Sequence, residues 1–424
     1  MGNNNGKKSC TNAYDLKLEQ AFSSISNGAS TIPFASLKKS WTSKIDHHLY
    51  NILESYLKKV TPKGLTKEAY KNLFIDLSNS DGEEKAKCIL KVISNGEHVG
   101  RFQLLEFLVS ILKTVLIIQE TKSVKNFKSW RNRSSPPSER SITLFGQYYL
   151  NLVSTDTVEL DWKDIKTIFV QFDLLLSMVL AFIYETEEDE YYAHLLPRWK
   201  YVPMESGRIL EDISILNLVK IIFLNSELPI DYQDEWRLLF SSAINGESFS
   251  RLTGQIINKG PTIIIIKDKE GHVFGGFAPS NWSMNPNFVG DSRSFLFTLL
   301  PSMKVHPATG FNSNFQYMNV GQQTMPNGLG MGGKLEYFGL WLSADYGKGY
   351  CSESCTTYRN YKMMSGTKDF TVSHVEVWGV GPPPPTAAEL GERSVLDGNV
   401  EAQAILELAG KTKYSEGLRE EPKD

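Results

Sequence analysis

Residues 327–343 read NGLGMGGKLEYFGLWLS, and the fold turns on how they are taken. Gly328, Gly330 and Gly333 satisfy G-x-G-x-x-G. In a dinucleotide-binding unit that run follows a buried strand and opens a helix, whose N-terminus holds the pyrophosphate. Such a unit would commit the chain to a doubly wound parallel sheet. The context here does not match. The preceding VGQQTMP (320–326) lacks the pattern of a buried strand, and the following LEYFGLWLS (335–343) is aromatic and alternating, as a strand is. No Walker A loop is formed either, because Gly333-Lys334 leads to Leu335 and not to Ser or Thr. The glycines are expected to serve the backbone, through positive φ or close packing on a neighbour. The expectation is a tight turn that feeds LEYFGLWLS into a sheet, with no nucleotide and no other cofactor.

Working outward, PTIIIIKD (261–268) holds four isoleucines in a row. β-Branched side chains in an unbroken run suit a strand buried on both faces. DKEG turns the chain into HVFGGFA (272–278), which predicts a hairpin. SRSFLFTL (292–299) and SHVEVWGV (373–380) read as further strands. Most of these are not separated by helix-length segments, so antiparallel pairing is expected. Helical patterns flank them in EDISILNLVKIIFLN (211–225) and in ESFSRLTGQIINKG (247–260), the latter capped by Ser248 and stopped by Gly260.

Towards the N-terminus the texture is helical. Leu49, Ile52, Leu53, Tyr56 and Leu57 recur at helical spacing. TIPFASL (31–37), GLTKEAY (64–70) and EHVGRFQLLEF (97–107) each place a short lead-in before a new helix. Repeated helix–loop–helix units are how EF-hand folds are built, which makes calcium loops the first candidate sites. The best stretch, DLSNSDGEEKAK from Asp76, puts Asp81 where Gly is needed and Lys87 where a bidentate Glu is needed. The region is expected to be EF-hand-like without calcium. SWRNRSSPPSER (129–140) reads as a solvated linker, and ETEEDE (185–190) as a solvated loop.

The chain of 424 residues is 41% hydrophobic and 22% charged, with a net charge of −3, which is the composition of a globular protein and gives no global sign of nucleic-acid binding. Residues 167–184 and 102–119 are the most membrane-like. Gln171 and Asp173 interrupt the first, Glu106 and Lys113 the second, so both are expected to be core helices and not transmembrane spans. The polar start MGNNNGKKSC lacks the apolar run of a secretory signal. It resembles a myristoylation signal at Gly2, except that the sixth residue is Gly6. One acyl chain anchors weakly, so Lys7, Lys8 or a palmitoylated Cys10 would supply the second attachment.

The four cysteines, Cys10, Cys88, Cys351 and Cys355, are too few and too scattered for a disulfide framework. CSESC (351–355) has no second ligand pair for zinc. No G-x-S-x-G or H-E-x-x-H is present, and the seven histidines are scattered. No catalytic, cofactor-binding or metal residue is assigned. After PPPP (382–385), NVEAQAILELAG (399–410) forms a short helix capped by Asn399, with Val400, Ala404, Ile405 and Leu408 on one face. A helix this short is marginal alone in water, so that face is expected to bind a partner or its own protein.

Taken in order, WRLLFSSAINGESFSRL (236–252), GPTIIIIKDKEGHVFGGFAPSNW (260–282), SFLFTL, NGLGMGGKLEYFGLWL and VEVWGV resemble the TLDc domain family. The N-terminal MGN, the helical region and the tail resemble its mTOR-associated, eak-seven type over nearly the whole chain. The resemblance implies an α+β chain: an EF-hand-like helical region, then an antiparallel β-sandwich with flanking helices. The expected division is 1–10 acylated start, 11–128 helical region, 129–140 linker, 141–205 helices, 211–380 TLDc domain and 381–424 Pro-rich linker, helix and tail. It further implies a non-enzymatic adaptor that binds subunits of the vacuolar proton-pumping ATPase and mTOR signalling components, acting toward S6 kinase on the cytosolic face of lysosomal membranes. An alternative is an oxidative-stress-protective protein with a reactive thiol at Cys351 or Cys355, and a weaker one is a calcium sensor.

Overall fold

The computed structural model describes residues 5–78, 81–94, 96–132, 134–200 and 214–385, with side chains from Tyr14 onward. Its first half is helical: α1 (Asn5–Ser26), α2 (Phe34–Trp41), α3 (His47–Val60), α4 (Lys67–Ser78), α5 (Gly82–Ser94), α6 (Arg101–Thr121), α7 (Lys125–Arg131), α8 (Glu139–Leu150) and α9 (Trp162–Tyr184). The three lead-ins seen in the sequence mark the short strands of the helical half. β1 (Thr31–Ile32), between α1 and α2, pairs antiparallel with β2 (Leu65–Thr66), between α3 and α4. β3 (Val99–Gly100), between α5 and α6, pairs with β4 (Glu159–Leu160), between α8 and α9. Ile32, Leu65, Val99 and Leu160 bury one aliphatic side chain per loop. Two loops zipped by a two-residue ribbon is the pairwise arrangement of EF-hand units, and the chain contains it twice.

The helices start where side chains satisfy their free N–H groups. Asp46 accepts from the backbones of His48 and Leu49, and Asp161 and Asp164 cap α9 reciprocally. α6 and α9 are both long and apolar enough to cross a membrane, yet over half of each apolar window is buried inside the fold. Asp173 on α9 pairs with the buried Lys85 at 2.7 Å, so the charge that argued against a span has a partner.

The second half contains α10 (Leu218–Glu227), α11 (Ser242–Asn245) and α12 (Phe249–Ile256). Its strands are β5 (Arg198–Lys200), β6 (Glu235–Ser241), β7 (Thr262–Asp268), β8 (Val273–Ala278), β9 (Asn285–Val289), β10 (Phe295–Leu300), β11 (Lys304–Pro307), β12 (Gln316–Asn319), β13 (Gly328–Lys334), β14 (Tyr337–Ser343), β15 (Lys348–Tyr350) and β16 (Asp369–Val380). Their order is β11-β10-β8-β7-β16-β15-β14-β13-β12-β9, with β6 also on β16 and β5 beside β6. All these pairings are antiparallel except β5 with β6. The 12-residue β16 is the hinge of the sheet: its start pairs with β15, and its later residues lie between β7 and β6.

The isoleucine run divides as a doubly buried strand must. Ile264 and Ile266 point into a core shared with Phe274, Leu296, Leu329, Met331, Leu340 and Leu342, which closes the two halves of the sheet into a sandwich. Ile263 and Ile265 point the other way, into the core that the helical half builds. The fold is thus α+β, with a helical N-terminal region against an antiparallel sandwich.

Two expectations need correcting. The glycine stretch is not a turn before the strand; it is a strand. β13 pairs with β14 from Gly328↔Ser343 to Lys334↔Tyr337, and the turn is Leu335-Glu336, with Glu336 at φ 66°. Bare backbone is needed because rings from β14 lie over it. A Cβ on Gly330 would sit 2.4 Å from the Phe338 ring, which stacks on Trp341 with centroids 4.4 Å apart. Nor is 129–140 a solvated linker throughout. α7 runs to Arg131, and Trp130 is buried with its indole N–H donating to the Pro197 carbonyl at 2.7 Å. Trp130 meets Trp199, Trp236 and Trp378, with ring centroids 4.6, 6.0 and 5.5 Å away. Burying rings of this size ties the helical half to the sheet.

Candidate functional site

Of the sequence-derived binding residues, Gly2, Val400, Ala404, Ile405 and Leu408 lie outside the described residues, and Cys10 falls in α1. The described chain ends on a fixed point. The Gly381 carbonyl accepts from Arg237 Nη1 at 2.6 Å, and Pro384 packs on Gly260. The PPPP segment therefore leaves the sheet from one anchored corner, beside Tyr232.

The calcium stretch is in a different place from the loops. Asp76 lies inside α4, and Asp81 caps α5 by accepting the N–H groups of Glu83 and Glu84, both at 2.9 Å. The stretch joins the two loop pairs and belongs to neither. The four strand-bearing loops are 27–33, 61–66, 95–100 and 151–161, and their carboxylates are Glu97, Asp156, Glu159 and Asp161. Asp161 is already a helix cap. Among the described residues, none of these four loops gathers the several carboxylates and the bidentate Glu that calcium requires. Calorimetric titration of the full chain with calcium is expected to show no binding heat; a saturable heat would overturn this reading of the loops.

Among the described residues, other clusters carry chemistry-bearing side chains. At the β7–β8 hairpin, donor atoms of Asp268, Glu270 and His272 lie within 4.8 Å of one another. Both Asp268 oxygens already serve His272: Oδ1 accepts its backbone N–H at 2.8 Å and Oδ2 faces Nδ1 at 2.9 Å. The cluster closes a turn. In the sheet, Ser241 Oγ is 3.1 Å from His374 Nε2, and the buried Glu376 Oε1 is 3.7 Å from that same nitrogen. A nucleophile relay needs the acid on one ring nitrogen and the hydroxyl on the other. Here one nitrogen faces both, and Ser241 is fully buried, so no substrate reaches it.

Glu376 instead acts as a clasp. It is 1% exposed and accepts the Ile215 N–H at 2.8 Å, and the Ser214 hydroxyl and Trp378 indole N–H at 3.1 Å each. Burial pushes its carboxyl up to about 7. Lys220 Nζ, pushed down to about 8 by burial, donates to the Ile215 carbonyl at 2.7 Å. Sequence reasoning missed this site, because Ser214 and Glu376 lie far apart in the chain and only the fold joins them.

Cys351 and Cys355 lack the setting of a reactive thiol. Burial pushes Cys351 up to about 11 and raises Cys355 as well, opposite to the depressed value of a reactive thiol.

The last feature is a hollow of about 620 Å³ between the β13–β14 turn and the loop 351–357. Asn312, Asn314, Lys334, Ser352, Glu353 and Lys368 are among its walls. The amides brace it: Asn314 Nδ2 donates to the Gly333 carbonyl at 2.7 Å, and Asn312 Oδ1 accepts from Thr357 Oγ1 at 2.8 Å. The glycine motif thus borders a polar cavity, although it builds no phosphate-binding helix.

Comparison with known proteins agrees with this architecture. The TLDc domain model matches residues 209–381. MTOR-associated protein MEAK7 of Gallus gallus is 37% identical over 382 residues, covering 85% of this chain and 80% of that protein. Its Homo sapiens counterpart is 46% identical over 223 residues, covering 52% of this chain and 48% of that protein. Nuclear receptor coactivator 7 of Homo sapiens is 31% identical over 197 residues, covering 46% of this chain and 19% of that protein. The likeness to the Gallus gallus protein extends well beyond the TLDc region, so the chain belongs to the MEAK7 family of TLDc-domain proteins.

Proposed function

We propose that this chain is a non-enzymatic adaptor or regulator in mTOR signalling. The observation that carries the reading is the 37% identity to a protein named for mTOR association, over 85% of this chain. That span takes in both halves of the fold, so the arrangement of helical region and sandwich is common to the two. The one serine–histidine–glutamate grouping described above lacks relay geometry, which supports an adaptor over a hydrolase. The finer reading is that the partner is the vacuolar proton-pumping ATPase on the cytosolic face of lysosomal membranes. Gly2 and Cys10 would hold the N-terminus to the membrane, and Val400, Ala404, Ile405 and Leu408 would add a contact to the pump. The fixed corner at Gly381 fits this, because the segment that leads toward those residues leaves the sheet from a defined point.

The test is co-purification of the tagged full chain from lysosomal membranes, with mass spectrometry of what comes with it. Pump subunits and mTOR-complex components are expected together. Truncation after Pro385 is expected to reduce pump recovery about tenfold, the loss of roughly 1.4 kcal/mol of contact. Unchanged recovery would remove the C-terminal face from the account. Absence of both partners from the full-length sample would sink the adaptor reading.

A further inference from the structure

We propose that the hollow beside the glycine hairpin binds a small phosphate monoester. One of its lining residues carries an unexplained polar group: Ser352 is 6% exposed, and its Oγ has no hydrogen-bond partner. Buried hydroxyls without partners are uncommon, because each forfeits its hydration. This one lines a cavity. Lys334 and Lys368 also line it, and Lys334 Nζ lies 4.9 Å from the centroid of the Tyr337 ring.

Charge favours an anion. Of the charged residues that line the hollow, Lys334 and Lys368 are cations and Glu353 is the acid, a local excess of one positive charge. Lysines bind phosphate as point charges, and a serine hydroxyl adds a directed donor. The walls are preformed, since Asn312 and Asn314 spend their amides on Thr357, Thr356 and Gly333. A cavity of about 620 Å³ exceeds what one phosphate group fills and lies in the range of small-molecule sites. The organic body of the ester then lies along Tyr337, and Glu353 accepts from its hydroxyls. The same chemistry is offered by a free sugar phosphate and by the headgroup of a phosphorylated inositol lipid.

The experiment uses the full chain and two arms. Calorimetry with glucose 6-phosphate and with glycerol 3-phosphate tests the free ester, with glucose as the control. Co-sedimentation with phosphatidylcholine vesicles, with and without phosphatidylinositol 4-phosphate, tests the headgroup. Saturable, salt-sensitive binding is expected in at least one arm, and the arm that responds identifies the source. The double variant Lys334→Ala/Lys368→Ala is expected to weaken it at least about tenfold. Ser352→Ala is expected to weaken binding severalfold while leaving the melting temperature unchanged or raised, since it removes an unpartnered hydroxyl. A purely structural serine would lower the melting temperature and leave binding alone. No saturable binding in either arm, or binding untouched by the lysine pair, overturns the proposal.

Discussion

Gly333→Val is expected to lower the stability of the fold by about 4 kcal/mol and its melting temperature by on the order of 10 °C. Two costs add at this position. Gly333 has φ +81°, where a side chain is strained. A Cβ there would also stand 2.0 Å from the Tyr337 carbonyl oxygen, which is backbone and has no rotamer to move. Gly347 separates the two terms. It has the same φ of +81° but nothing within 4 Å of a Cβ, so Gly347→Ala should cost only about 1 kcal/mol. Chemical denaturation of both variants checks the pair. If Gly333→Val costs no more than the Gly347 variant, close approach of strands is not what the glycine stretch is for.

That contrast shows what the sequence could and could not convey. Period and composition located β7, β8, β10, β14 and most of β16, because runs such as four consecutive isoleucines leave few options other than a strand covered on both sides, but they did not mark β6, β9, β11, β12 or β15. They were ambiguous for NGLGMGG, since glycine carries no periodic signal. What makes it a strand is the stacked Phe338 and Trp341 across the hairpin, a tertiary fact. The calcium stretch misled for a related reason. Ser and Asp suit helix caps as well as calcium loops, and here Asp81 caps α5. The true loops carry Gly, Thr and Pro and announce themselves only by one buried aliphatic residue each. The tryptophan cluster was beyond reach, because positions 130, 199, 236 and 378 share no local pattern. The partner surface stays a matter of sequence, since Val400, Ala404, Ile405 and Leu408 lie outside the described residues.

The clasp at Glu376 carries the second large effect. Glu376→Ala is expected to cost about 4 kcal/mol, because it orphans the Ile215 N–H and the Trp378 indole N–H and leaves Lys220 without its facing charge. Glu376→Gln keeps the shape but turns one acceptor into a donor, at a cost of about 1–2 kcal/mol. The two variants differ from the parent most clearly in their pH dependence. Burial raises the Glu376 carboxyl from 4.5 to about 7, so between those values the folded chain holds a proton that the unfolded chain has released. Stability from this group is complete below pH 4.5 and is lost as pH rises through about 7. Lys220 faces it with the opposite sign: lowered from 10.5 to about 8, it raises stability with pH across that higher window. His374, lowered by burial and by Lys267, opposes Glu376 below pH 6.5. The parent-minus-Gln difference isolates the carboxyl from both. That difference is expected to shift by on the order of 2 kcal/mol against the parent between pH 5 and pH 8. Parallel stability curves for parent and Glu376→Gln would mean that the carboxyl titrates as it does in water, and that the clasp is held by packing around Trp378 instead.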